Sequence, residues 1–192
     1  MELSTPVGRI QLGNICLIIC CLFYLIWWSI TFQPGKVFPM AAKYILFFIT
    51  LAAGVAGIYF SVFGMSGLAA DRGRISNAAI CAAGIIAYVV LLILTNLLMH
   101  RQVTTELLLI TGWSILELCA VNSLYRAGFL GGRAGVCAAV VIIAAAVVAM
   151  ICYLAYYNLE EQAAFYDGMV PLILFAAVMV FLTILIGVSR SS

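Results

Sequence analysis

The chain has 192 residues, of which 67% are hydrophobic and 8% charged, and its formal net charge is +2. A soluble domain carries about 25% charged residues, so this composition excludes a chain that meets water on all sides. The basic residues are few and scattered, which excludes a nucleic-acid partner. The first partner to expect is a lipid bilayer.

A transmembrane helix needs about 20 mostly apolar residues. Six stretches qualify, at 13–32, 41–65, 75–99, 105–125, 135–157 and 168–188. Runs such as Ala138 to Ala149 lack the alternation of a barrel strand. The expected fold is therefore all-α: one polytopic domain over residues 1–192, a bundle of about six membrane-spanning helices. Short connections predict that consecutive helices pack as antiparallel neighbours.

The first stretch follows a single basic residue, Arg9, and ends in Trp27, Trp28 and Phe32 with no small-residue cleavage site. It reads as a retained helix. Pro34, Gly35 and Pro39 break the chain after it. In the second stretch Ala53, Gly57 and Ser61 recur every four residues. Such a stripe lets helices approach closely, within the bundle or across a face shared with a second copy of the chain. Ala78 and Ala82 on the third stretch, and Ala145 and Ala149 on the fifth, offer similar steps.

The fourth stretch holds Glu117 in its middle third. A charged side chain near the bilayer centre costs about 2.5–3.5 kcal/mol on insertion scales, so it needs a partner or a purpose. Trp113 lies four residues back and Glu106 eleven back, close to the same azimuth at 100° per residue. An acid at the mouth, an indole and an acid near the centre form a line that could pass a proton or draw a cation inward. Counting inward from the span ends places Tyr24, Tyr88 and Thr183 near the same depth. Asn96 and Asn122 are further intramembrane amides.

Gly128, Gly131, Gly132 and Gly135 punctuate the connection to the fifth stretch, and Glu160, Glu161 and Asp167 precede the sixth. With the amino terminus in the cytoplasm, Arg9, Arg72, Arg74, Arg126, Arg133 and Arg190 fall inside; Lys36, Lys43 and Arg101 fall outside. Cytoplasmic loops are enriched in Lys and Arg, so both termini are expected there.

The cysteines at 16, 20, 21, 81, 119, 137 and 152 all lie within apolar stretches and form no C-x-x-C pair. They read as small apolar fillers. The single histidine, His100, cannot form a histidine metal cluster or bis-histidine haem site. No cofactor or metal is expected, and no paired carboxylate marks a catalytic centre, which argues against an enzyme. The functional expectation is a small proton- or cation-coupled permease, with an ion or small molecule as substrate. The alternative is a non-catalytic accessory or scaffolding subunit of a membrane complex.

Overall fold

The computed structural model describes residues 4–33, 38–69, 75–99 and 104–191. They form α1 (Pro6–Phe32), α2 (Met40–Ser66), α3 (Asn77–Met99), α4 (Thr104–Arg126), α5 (Gly132–Tyr156), the short α6 (Glu161–Asp167) and α7 (Val170–Ser191). No strand occurs among them. Six candidate spans are long and apolar enough to cross a bilayer, with α6 and α7 together making the last. The fold is the helical bundle that the composition predicts.

Local chemistry explains where the helices start and stop. α1 begins at Pro6, seven residues before the expected Gly13. The Thr5 hydroxyl accepts from the Gly8 amide at 3.1 Å, and a proline in the first turn loses no needed donor. A hydropathy count misses this extension because Arg9 and Gln11 lower the average. α4 ends at Gly128, whose φ of 80° suits glycine. The Phe129 amide then reaches the Leu124 carbonyl at 2.9 Å and the Gly128 amide the Tyr125 carbonyl at 3.0 Å, a Schellman closure. The expected loop before the sixth span instead winds into α6.

Helices α1, α2, α4, α5 and α7 touch in a closed circuit, each packing on the next and α7 returning to α1. α3 leans on the outside of α4. The expected α2–α3 neighbour pair is therefore not formed, although α1–α2, α3–α4 and α4–α5 are. Ala78 and Ala82 are exposed rather than part of a seam, because α3 turns Cys81 and Gly84 towards α4. A polar clamp fixes that contact: the Asn77 amide donates to the Ser123 hydroxyl at 2.7 Å, and Asn122 donates to the Asn77 carbonyl oxygen at 2.8 Å.

The α1–α2 seam is the tightest. A Cβ on Gly57 would stand 2.6 Å from Leu17 Cγ, and one on Gly64 would stand 2.8 Å from the Pro6 carbonyl. Gly13 faces Ser61 so closely that no side chain fits between them. Ala53, the first residue of the predicted stripe, is half-buried beside this seam. The outward faces of α2 and α3 are apolar and exposed, as at Phe48, Val55, Ile86 and Leu97, which suits a lipid solvent. Replacing Gly57 with Leu should overpack the seam and cost about 1–3 kcal/mol. Thermal unfolding in detergent measures this, and an unchanged Tm would mean that α1 and α2 do not meet there.

Candidate functional site

The buried interior divides into two apolar clusters. One gathers Ile10 of α1, Ala120, Val121 and Leu124 of α4, Ala138 and Ile142 of α5, and Val178 and Leu182 of α7. The other gathers Leu17, Ile110, Ala149, Phe175 and Met179, with Cys21 and Trp113 packed against it. Trp113 stacks on Phe175 with centroids 4.1 Å apart and planes at 18°. On α4, Glu117 lies between Trp113 and Val121, so its side chain enters the plane where the clusters meet.

Glu117 is 1% exposed, and neither carboxyl oxygen has a hydrogen-bond partner among the described residues. Its azimuth is opposite that of Ile115 and Cys119, which face α3, so the carboxyl points to the centre of the five-helix circuit. The Cys21 thiol of α1 lies within its electrostatic reach. The Trp113 indole nitrogen is likewise buried and unpartnered.

This contrasts with the other polar groups in the spans. Thr50, Thr95, Thr111, Ser114 and Thr183 each donate to a carbonyl one turn back, at 2.7–2.8 Å. Asn122 is satisfied by the α3–α4 clamp. The chain therefore satisfies helix hydroxyls and amides readily, and leaves a small set at the centre without partners.

Of the residues expected near Glu117, Trp113 shares its face and flanks it by one turn. Tyr24 stacks on Trp27 at 5.2 Å, one turn beyond Cys21 on α1. Tyr88 belongs to α3, on the far side of α4. Thr183 lies on α7 beside the core, with its hydroxyl bound to the Met179 carbonyl. The Glu106 side chain lies outside the described residues, as do Lys36, Arg72, Arg74, His100, Arg101 and the Arg190 side chain. Of the line Glu106, Trp113 and Glu117, only the last two are therefore placed.

Sequence reasoning missed Asn14. It is 1% exposed, and neither its amide nitrogen nor its amide oxygen has a partner. It follows Ile10 and precedes Leu17 on the core face of α1, as Glu117 separates the clusters on α4. A polar residue one position inside the first apolar stretch was the available signal. Ser61, named from sequence as a packing residue, is also 1% exposed, and its hydroxyl is unpartnered beside Gly13.

Protein families, curated proteins and solved structures yield no match to this chain. Its site therefore has to be argued from its own residues. Among those described, no group of three His, Cys, Asp or Glu side chains gathers to hold a metal ion.

An unpartnered buried polar group costs about 1–3 kcal/mol. Replacing Glu117 with Met, which is similar in length and apolar, should therefore raise stability by about that amount, read as a higher Tm in detergent with choline chloride as the only salt. A Glu117→Met protein that melts earlier than wild type would mean that the carboxyl has a protein partner.

Proposed function

We propose that this chain is a small proton- or cation-coupled permease in which Glu117 binds the coupling ion. The observation that carries this reading is the Glu117 carboxyl, buried without a protein partner in the plane between two apolar clusters. Membrane-embedded acids mark ion paths and proton relays. A protein that needed only packing would gain stability from an apolar residue at this position.

The two clusters supply the barriers such a carrier needs. Ile10, Leu124 and Leu182 close the plane towards the face bearing both described ends of the chain; Leu17, Ile110 and the Trp113–Phe175 stack close it on the other side. Opening one cluster at a time exposes Glu117 to one side of the membrane at a time. That arrangement corresponds to an occluded conformation.

One observation favours the second reading, a non-catalytic membrane subunit. Two surface grooves among the described residues do not reach Glu117. One, of about 640 Å³, lies along the outer face of α2 by Phe48, Val55 and Tyr59; the other, of about 370 Å³, lies at Pro6, Leu68 and Phe129. Reconstituted protein on a solid-supported membrane separates the two readings without a known solute. Proton or sodium concentration jumps should displace charge in wild type, and Glu117→Gln should lose that signal at least tenfold while remaining folded. A wild-type protein silent to both jumps would assign the chain to the subunit class.

Both termini are proposed to face the cytoplasm, on the balance of basic residues. A cysteine placed at the exposed Gln162 should then react with a membrane-impermeant thiol reagent in intact cells, and one at Gly131 should not. The reverse pattern would invert the orientation.

A further inference from the structure

We infer that Asn14 and Glu117 together form a binding site for one dehydrated monovalent cation of the alkali class. This rests on the reading of Glu117 as an ion-binding residue, and it adds a second ligand and a ligand class.

Two observations place the side chains in the same zone. On α1, Ile10 belongs to the cluster that holds Val121 and Leu124, and Leu17 to the one that holds Ile110, each lying against a glycine of α2. Asn14 lies midway between Ile10 and Leu17 on the same helix face. On α4, which runs antiparallel to α1, Glu117 lies midway between Ile110 and Leu124. Both residues therefore stand in the zone between the two clusters, on the buried faces of their helices. For Asn14 the rotation is fixed by Gly13, whose close approach to Ser61 directs the next side chain inward. Both are 1% exposed, and their polar atoms have no protein partner, each other included.

The chemistry of the pair selects the ligand. A carboxylate and an amide carbonyl are hard oxygen donors, which suit alkali and alkaline-earth cations over the metals that prefer nitrogen or sulfur. One carboxylate cancels one positive charge. A divalent ion would retain a net charge in a region walled by Ile, Leu, Val and Phe, and it ordinarily recruits six to eight oxygens. The buried Ser61 hydroxyl, beside Gly13, is the nearest further oxygen on the α1–α2 seam. A protonated Glu117 could donate its O–H to the Asn14 oxygen, but the two are not hydrogen-bonded in this structure. A cation takes the amide oxygen as a ligand and accounts for both buried groups at once.

Thermal unfolding of the full chain in detergent, in sodium, lithium, potassium or choline chloride at equal ionic strength, tests the inference. At a cation concentration about a hundredfold above Kd, binding should raise Tm by roughly 5–10 °C. Wild type should gain this in at least one alkali chloride relative to choline. Asn14→Leu and Glu117→Gln should each lose the gain, judged as the alkali-minus-choline difference within each variant so that an altered baseline does not count. Asn14→Asp, which keeps an oxygen donor, should retain it. An alkali gain that survives in Asn14→Leu would remove Asn14 from the site. Absence of any alkali gain in wild type, with proton-jump currents still present, would overturn the cation inference and leave Glu117 as a proton site. Absence of both would overturn the permease reading as well.

Discussion

Gly13 on α1 and Gly57, Ser61 and Gly64 on α2 let two helix backbones meet with almost no side chain between them. In a bilayer no hydrophobic force drives helices together, so close van der Waals contact must do so. That contact also fixes how α1 is rotated. With Gly13 against α2, the following residue faces the centre of the bundle, and Gln11 is turned towards α7, where its amide nitrogen would lie 3.8 Å from a Cβ on Gly187. The position of Asn14, and with it the polar plane between the two apolar clusters, depends on the α1–α2 contact.

Hydrocarbon offers no hydrogen bonds, so an intramembrane polar group must find them in the protein. Around the periphery it does. Asn77, Asn122 and Ser123 clamp α3 to α4, and the Trp28 indole donates to the Phe165 carbonyl at 3.1 Å, joining the end of α1 to α6. Gly168 lies so close under the Trp28 ring that a side chain there would collide with it. At the centre the pattern reverses: Asn14, Trp113 and Glu117 bury polar atoms without partners among the described residues, as do Ser61 on the α1–α2 seam and Thr31 near the end of α1. The interior is thus polar-deficient where two apolar barriers meet.

Much of this was legible in the residues. Span number and class follow from apolar run length, and Glu117 declares itself because an acid in the middle of such a run is costly. Trp113 follows from the 100° step of one helix. Asn14 did not follow, because its significance comes from a face defined by contacts on α2 and α7, which the α1 sequence does not encode. Tyr88 shows the complementary limit: its depth along α3 was readable, but the packing of α3 on the outside of α4 was not. The start of α1 was readable in Thr5 and Pro6, a capping signal that an averaged hydropathy hides.

The contacts of α1 with α6 and α7 join segments that are made far apart in time. The Trp28–Phe165 hydrogen bond spans 137 residues of sequence. A ribosome adding about 5–20 residues per second completes α7 on the order of ten seconds or more after α1 has entered the membrane. Through that interval α1 can shelter against α2 alone, while its Gln11 and Asn14 amides lack the helix that later walls them in. Burial of the two amides is therefore among the last events of assembly, completed only when α7 arrives.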